Sequence, residues 1–187
     1  DFHFGHHREG SVGSLIKAGE RYGFCVNEIP VTKVHGHKKI SSTRIREFIA
    51  HGEIGCAQRF LDRPVAIMGK VIKGDRRGRA LGYPTANLDA ALTGFAPRGV
   101  YCTRVHIGNK VFSGMANIGS RPSFKKDNLP NIEVHIFDFD KNLYGRMILV
   151  EFLKKIRDEK VFLSSEDLVR QLQKDEAQVR KWFLLIK

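Results

Sequence analysis

Hydrophobic and polar residues alternate with the two-residue period of β-strands along much of the chain beyond residue 64. The alternation predicts strands over 65–72, 100–107, 110–118, 132–139 and 147–153. Gly108 and Asn109 separate two of these strands and form a two-residue hairpin signal. Short strands joined by turns at this spacing are typical of a small antiparallel barrel, so this part of the chain is predicted to be mainly β.

Apolar positions at helical spacing mark the first sixty or so residues. They predict one helix over 11–22 and two short helices between 42 and 61. Ser41 or Ser42 is suited to cap the first of the two short helices. Residues 24–34, between the predicted helices, are predicted to form a strand that Pro30 interrupts.

Asp62-Arg63-Pro64 indicates a boundary between two regions, residues 1–62 and 63–187. The second region ends in a long helix that begins near Ser164, where Asp167 completes a pattern like a capping box. An apolar stripe is predicted to place this helix over one side or one mouth of the barrel. The stripe consists of Leu168, Leu172, Val179 and Phe183.

The composition is that of a globular protein with a core, since 42% of the 187 residues are hydrophobic. No apolar run approaches the roughly 20 residues of a membrane span, so no membrane association is predicted. Three cysteines without a Cys-x-x-Cys pair predict reduced, buried thiols in a cytoplasmic protein. Because the first residue is Asp1 rather than Met, we expect the sequence to be a piece of a longer chain.

The net charge of +12 predicts an anionic ligand, because a strongly basic chain attracts phosphate groups. The lysines and arginines are spread along the chain and form no long block. This distribution disfavours nucleic acid as the partner.

The segment 74–87 combines glycines, arginines and oxygen-bearing side chains. Glycines let backbone N–H groups approach an anion, and arginines clamp phosphate oxygens. Thr85 and Asn87 alternate along the chain, so both side chains point one way and offer oxygens to Mg²⁺. Pro84 disfavours helix at the residue before it, which predicts an extended turn. A glycine-rich surface loop with solvated arginines is the alternative interpretation.

Two further charged residues are candidates for chemistry. Glu133 is an acid in an apolar strand and shares its predicted face with His135, Phe137 and Phe139. It is either a solvent-facing strand residue or, in a ligand-filled cavity, a general base toward an alcohol. Arg157 either reaches a ligand or forms a surface ion pair with a neighbouring acid.

Five segments follow the glycine-rich motif in order: Gly99-Val100-Tyr101, Asn117-Ile118-Gly119-x-Arg121-Pro122, Glu133-x-His135, Leu143-Tyr144-Gly145 and Ile156-Arg157-x-Glu159-Lys160-x-Phe162. Together with the motif at 74–87, they resemble the bacterial bifunctional riboflavin kinase/FAD synthetase family. The matches extend over residues 64–180, which makes the resemblance far more specific than a glycine motif alone.

The resemblance implies a six-stranded Greek-key barrel with a C-terminal helix, preceded by an incomplete α/β nucleotidyltransferase region. It implies a cytoplasmic, Mg²⁺-dependent riboflavin kinase. Such an enzyme transfers the γ-phosphoryl group of ATP to the terminal ribityl hydroxyl of riboflavin and releases FMN and ADP. These small molecules are its implied partners.

By the same resemblance, Thr85 and Asn87 bind Mg²⁺, and Glu133 is the general base that acts on the hydroxyl. Further residues are implied to contact the nucleotide or the flavin. They are Lys73, Gly74, Arg77, Gly78, Arg79, Gly82, Tyr83, Pro84, Asn117, Gly119, Arg121 and Arg157.

The first region resembles the FMN adenylyltransferase domain of the same family. The residues that carry this resemblance are Asp1, Phe2, Gly5, Arg8, Ser41, Ser42, Thr43 and Arg44. The His-x-Gly-His phosphate motif of that domain is absent from the sequence, since His35-Gly36-His37 lacks its spacing. We therefore expect the longer parent protein to make FAD from FMN and ATP, and this chain alone not to do so.

A non-catalytic barrel that binds flavin or nucleic acid is the alternative function. Oligonucleotide-binding barrels interleave exposed aromatic residues with lysine and arginine along their strands. Here arginines are concentrated in the loop at 74–87, which favours the kinase.

Overall fold

The computed structural model divides the chain into two compact units, residues 1–40 and 41–187. The residues that the structure describes are 3–29, 33–34, 38–89, 98–120 and 130–186. No helix among them is long and apolar enough to cross a membrane.

The first unit contains one of the predicted helices, α1 (Val12–Tyr22). Ser11 caps this helix: its side chain accepts a hydrogen bond from Ser14 N, and the Ser14 hydroxyl accepts one from Ser11 N at 2.8 Å. The helix ends at Gly23, whose φ of +75° lies in the left-handed region that glycine favours.

Among its described residues, the first unit has two short antiparallel ribbons. The pairs are β1 (His3–Phe4) with β2 (Gly10–Ser11), and β3 (Lys33–Val34) with β4 (Lys38–Lys39). The strand predicted over 24–34 is therefore wrong for residues 24–29. Phe24 N donates to Gly19 O at 3.1 Å, so this stretch begins by closing the end of α1 instead of pairing with a strand.

The second unit contains a closed barrel of six antiparallel strands. The strands are β5 (Val65–Ile72), β6 (Ala86–Leu88), β7 (Gly99–Ile107), β8 (Lys110–Ser120), β9 (Pro130–Ile136) and β10 (Met147–Arg157). Around the barrel their order is β5-β6-β9-β8-β7-β10. Because β6 lies beside β9 while β7, β8 and β9 are consecutive neighbours, the connectivity is a Greek key. The predicted barrel is confirmed.

Two predicted strand ends differ from the structure. The strand predicted over 132–139 ends at Ile136, because Asp138 has a φ of +56° and turns the chain out of the pleat. The last strand continues past the predicted end at Leu153 as far as Arg157, with register shifts against β7.

The proline of the glycine-rich loop predicts an extended turn, but the loop is not extended throughout. It contains a single helical turn, α4 (Arg77–Ala80), which follows Arg76 at a φ of +58°. Pro84 disfavours the helical region only for the residue directly before it, and α4 ends ahead of that residue.

Alternate residues of the strands point into the barrel and form its core. Tyr101 and Phe152 are fully buried there, with their ring centroids 5.5 Å apart in an edge-to-face arrangement. Ile132, Val134 and Ile136 of β9 belong to the same cluster, as their alternation predicted.

The outer face of the barrel is covered on one side by the last helix, α5 (Ser165–Leu185). The predicted cap is confirmed, because the Ser164 side chain accepts a hydrogen bond from Asp167 N at 3.1 Å. Val179 of this helix packs in a second cluster with Cys102, Met115 and Phe137. The apolar stripe thus covers a side of the barrel and not its mouth.

The three cysteines are free thiols, as predicted, but they differ in burial. Cys102 is buried, and burial raises its pKa to about 12. Cys56 is half-buried and Cys25 is exposed, so the prediction that all three are buried is wrong.

Two helices precede the barrel within the second unit, α2 (Ser42–Ala50) and α3 (Ile54–Leu61). Gln58 Nε2 donates to Phe152 O at 2.7 Å, and α3 contributes two buried residues to the barrel core, Ile54 and Ala57. Residues 41–61 therefore belong to the compact unit of the barrel. The domain boundary predicted between residues 62 and 63 stays a prediction.

Thr103 allows a prediction about the stability of the barrel. It is fully buried on β7, and its Oγ1 has no hydrogen-bond partner among the described residues. Thr103→Val replaces this hydroxyl with a methyl group, so we expect the free energy of unfolding to rise by about 1 kcal/mol in urea denaturation. The matched control is Val105→Thr, the reverse change on the same strand face, which should lower the free energy of unfolding. A Thr103→Val protein that is less stable than the wild type would contradict this account.

Candidate active site

A cavity of about 710 Å³ opens on the outer face of the barrel, where the strands meet the glycine-rich loop and the start of α5. Eight of the predicted site residues line it: Arg77, Gly78, Tyr83, Thr85, Asn87, Asn117, Glu133 and Arg157. The fold thus brings together residues from four strands and a loop that the sequence separates.

The pairing of three strands aligns the polar residues of the cavity. Asn87 of β6 lies opposite Glu133 of β9, and Glu133 lies opposite Asn117 of β8. Directly paired residues share a face of the sheet, with Cβ atoms about 4.5–5.5 Å apart. Because Ile132 and Val134 point into the core, this row of polar side chains points outward into the cavity.

Glu133 has one carboxylate oxygen that is already oriented. Asn131 Nδ2 donates to Glu133 Oε1 at 2.7 Å. A carboxylate oxygen only accepts, which assigns the amide nitrogen to this contact. The bond orients the carboxylate at the cavity wall, with Oε2 as its second oxygen.

The face predicted for Glu133 is correct in part. His135 lines the same cavity, and Phe137 packs in the second cluster under α5. Phe139 lies beyond the end of β9 and packs against the barrel core, with its ring edge-to-face with that of Phe112 at 5.1 Å. Its predicted place on the face of Glu133 is therefore wrong.

Two glycines of the loop are required by close approaches. A Cβ on Gly74 would overlap the side-chain amide of Asn87, and a Cβ on Gly78 would overlap the carbonyl oxygen of Tyr83. Tyr83 N also donates to Gly78 O at 2.8 Å. The loop therefore closes on itself, and its first glycine lies directly against Asn87.

The arginines of the loop are exposed. Arg77 Nη2 lies 3.7 Å from Asp75 Oδ2, and the two side chains are 84% and 78% exposed. A pair of this kind contributes little to stability. Arg76 and Arg77 line the cavity together with Asp75, so the loop brings a net positive charge to its lining.

The turn at Tyr83 and Pro84 is held from both β9 and α5. His135 Nδ1 donates to Pro84 O at 2.8 Å, and its ring meets the Tyr83 ring at 5.1 Å. Burial, followed by a hydrogen bond to Glu176 of α5, raises the pKa of Tyr83 above its usual value. The Tyr83 hydroxyl is therefore protonated at neutral pH, and its ring packs against the second cluster, to which Val179 of α5 belongs.

Arg157 forms an ion pair with a buried acid. The surface ion pair, one of the two alternatives in the sequence analysis, is not what the structure shows. Its Nε lies 2.9 Å from Asp175 Oδ2, and its Nη2 lies 2.8 Å from the same oxygen. Asp175 is 1% exposed and also accepts from Gln171 Nε2 at 2.8 Å. This carboxylate of α5 therefore fixes the guanidinium group at the wall of the cavity.

An apolar wall completes the cavity. Its members are Met115, Phe162, Leu168 and Leu172. The guanidinium carbon of Arg157 lies 5.8 Å from the centroid of the Phe162 ring. The apolar stripe of α5, predicted to cover one side or one mouth of the barrel, thus contributes both to the second cluster and to the cavity wall.

Other lining residues were not among the predicted site residues. They are Asp75, Arg76, Leu81, Val100, Ala116, Asn131, His135, Glu159 and Lys160. His135 and Glu159 lie within motifs that carry the family resemblance, and these motifs are the sequence feature that could have identified them as site residues. Nothing in the local pattern pointed to Asn131, which acts through its contact with Glu133.

Six predicted site residues do not line the cavity: Lys73, Gly74, Arg79, Gly82, Pro84 and Gly119. Gly119 nevertheless lies against a lining residue, because a Cβ there would overlap the Glu159 carboxylate. Arg121 lies outside the described residues. The roles assigned to these residues stay predictions.

The residues assigned by resemblance to an adenylyltransferase domain are divided between the units. Asp1 and Phe2 lie outside the described residues, and the first unit holds Gly5 and Arg8. The second unit holds Ser41, Ser42, Thr43 and Arg44 at the start of α2. Ser41 Oγ accepts from Arg44 N at 3.3 Å, which confirms the predicted cap. Their role toward a nucleotide stays a prediction.

The sequence also matches a known family. A sequence model of the flavokinase family, described as riboflavin kinase, matches residues 61–183. This match covers well over half of the chain. The chain therefore belongs to the riboflavin kinase family.

Curated relatives extend the match over almost the whole chain. The bifunctional riboflavin kinase/FMN adenylyltransferase of Haemophilus influenzae is 39% identical over 184 residues, which are 98% of this chain and 59% of that protein. The protein of the same name from Escherichia coli K12 is 40% identical over 188 residues, which are 100% of this chain and 59% of that protein. The chain thus spans about three fifths of the length of these relatives.

A solved structure shares the fold. A macrolide-efflux protein from Streptococcus pneumoniae superposes with a TM-score of 0.81 at 36% sequence identity. The match covers 97% of this chain and 58% of that one. What the two chains share is their fold and about a third of the aligned residues.

The pair of Arg157 and Asp175 allows a second stability prediction. Asp175→Ala leaves the guanidinium group, whose side chain is 13% exposed, without its carboxylate. We expect the free energy of unfolding to fall by about 3 kcal/mol in urea denaturation. Asp75→Ala removes a carboxylate from an exposed 3.7 Å pair and is the matched control, with little expected change. Equal stability of the two variants would mean that the buried pair does not hold α5 in place.

Proposed function

We propose that this protein is a riboflavin kinase that transfers the γ-phosphoryl group of ATP to the terminal ribityl hydroxyl of riboflavin. The observation that carries the proposal is the row of Asn87, Glu133 and Asn117, which aims one carboxylate and two amides into a single cavity. Membership of the riboflavin kinase family supports the same activity.

Two parts of the cavity lining suit the two substrates. Phe162 and Leu172 contribute to an apolar wall that suits the flat ring system of a flavin. In the glycine-rich loop, the backbone at Gly78 and the guanidinium groups of Arg76 and Arg77 suit phosphate groups. The volume of about 710 Å³ lies within the usual range of small-molecule sites.

Glu133 is the general base in this proposal. The hydroxyl oxygen of riboflavin forms a bond to the γ-phosphorus of ATP, and the bond from that phosphorus to the β–γ bridging oxygen breaks. ADP leaves, and the hydroxyl proton passes to Glu133. Because Asn131 already donates to Oε1, we assign the proton to Oε2. Phosphoryl transfer depends mainly on position and charge, so an oriented carboxylate is the main chemical group that the protein must supply.

Thr85 and Asn87 would hold Mg²⁺, with phosphate oxygens and water as the remaining ligands. Their hydroxyl and amide oxygens are hard donors, both line the cavity, and Asn87 is only 6% exposed. The Glu133 carboxylate on the neighbouring strand adds negative charge beside them. The residues present therefore fit this ion, which when bound supplies positive charge to the phosphate oxygens.

The general base gives a direct test. Glu133→Gln keeps the size of the side chain but removes its ability to take a proton, so we expect kcat for FMN formation to fall by about 10²–10⁴-fold. FMN formation from riboflavin and ATP is followed by chromatography. The matched control is Glu151→Gln, since Glu151 pairs with Arg104 and His106 away from the cavity and should leave the rate unchanged.

Two outcomes of this test would contradict the proposal. A Glu133→Gln protein with the turnover of the wild type would refute the assignment of the base. A wild-type protein that binds riboflavin but forms no FMN would favour a non-catalytic flavin-binding barrel.

For the whole protein we infer FMN adenylylation as a second activity. The relatives at 39% and 40% identity carry this activity in their names, and they align with 98% and 100% of this chain. The 40% alignment covers the whole chain and so includes residues 1–60, which lie outside the riboflavin kinase match. We expect the full-length protein to convert FMN and ATP to FAD. Failure to form FAD in a preparation that makes FMN would contradict this inference.

A further inference from the structure

We propose that His135 is a positioning residue for the metal-binding end of the cavity, an inference that rests on the proposed function. Its Nδ1–H donates to Pro84 O at 2.8 Å and thereby holds Thr85 beside Asn87. His135 follows Glu133 by two residues on β9, so the two side chains share one face. One strand therefore carries the base and also fixes the turn that carries the metal donors.

The backbone around Thr85 explains why the His135 side chain is needed to attach this turn to β9. The strand β6 begins at Ala86, which lies opposite Val134 of β9. Thr85 therefore precedes the ladder, and Pro84 has no N–H with which to extend it. The carbonyl of Pro84 remains as an acceptor, and His135 reaches it from β9. The bond extends the attachment of β6 to β9 beyond the last backbone pair.

The imidazole ring is itself held in the orientation that this bond requires. The rings of Tyr83 and Phe137 lie edge-on to it, with centroids 5.1 Å and 5.7 Å away. Both neighbours pack in the second cluster with Val179 of α5, and the guanidinium carbon of Arg180 lies 4.5 Å from the Phe137 ring centroid. Because a carbonyl only accepts, Nδ1 carries the proton. The donor is thus directed before any ligand binds.

Three substitutions separate the donor from the bulk of the ring. His135→Asn keeps an N–H donor at the distance of Nδ1 from Cβ, His135→Gln moves the donor outward by one bond, and His135→Ala removes it. Asn87→Ala removes a proposed metal donor and shows how far Mn²⁺ binding weakens when a donor itself is lost. Mn²⁺ serves as the probe, because it takes the same oxygen ligands as Mg²⁺. Its binding in the presence of ADP is measured by electron paramagnetic resonance, without riboflavin.

The Ala and Gln variants should weaken Mn²⁺ binding about three- to tenfold, which is the effect of one lost hydrogen bond. The Asn variant should bind like the wild type. The Asn and Gln variants should unfold at similar temperatures, and the KM for riboflavin should stay unchanged in both. A general loss of structure would not produce this separation between Asn and Gln.

The inference is overturned if His135→Asn binds Mn²⁺ as weakly as His135→Ala, or if His135→Ala binds it as the wild type does. A wild-type protein that binds Mn²⁺ with ADP but forms no FMN would overturn the proposed function alone. In that event the comparison among the variants still decides the role of His135, because it requires no turnover.

Discussion

The antiparallel register of β6, β9 and β8 is the constraint on which both the core and the cavity depend. It sets Asn87 opposite Glu133 and Glu133 opposite Asn117, while adjacent residues such as Val134 point into the barrel. Side chains alternate with a period of two, so a slip by one residue would bury Glu133 and expose Val134. Burial of the apolar residues therefore selects the register that also aims three polar side chains into one cavity.

The C-terminal helix α5 adds a wall to the cavity on this outer face. Val179 attaches the helix to the barrel by apolar packing, and Leu168 and Leu172 continue the same stripe into the cavity wall. The buried carboxylate of Asp175 adds a directional contact to Arg157. A buried pair of this kind gives little net stability over apolar residues but is costly to break. Its main effect is therefore to select one orientation of the guanidinium group.

The alternation of residues along β9 made the barrel and its two faces predictable, because the period is visible in the local sequence. The prediction was wrong for Phe139, because Asp138 takes a φ of +56° and ends the alternation. No hydrophobic or polar pattern in the local sequence indicates this turn. Glu133 was found as an acid in an apolar strand. Asp175 was not found, since it resembles any polar residue of an amphipathic helix until the fold brings Arg157 to it. Residues that act through distant partners are not encoded in local patterns.

Two parts of the cavity lining differ in how firmly the fold holds them. Around Glu133 and Asn87, strand pairing and buried contacts fix the side chains before a ligand arrives. At the glycine-rich loop, Arg77 and Asp75 form a long, exposed pair. Such a pair contributes little, so a phosphate group of the proposed nucleotide would replace it at small cost. Electrostatic stabilisation of a reaction is most effective where the groups need not reorganise. Rigidity is thus concentrated where a proton and a phosphoryl group would move, and adaptability where a ligand's phosphates would enter.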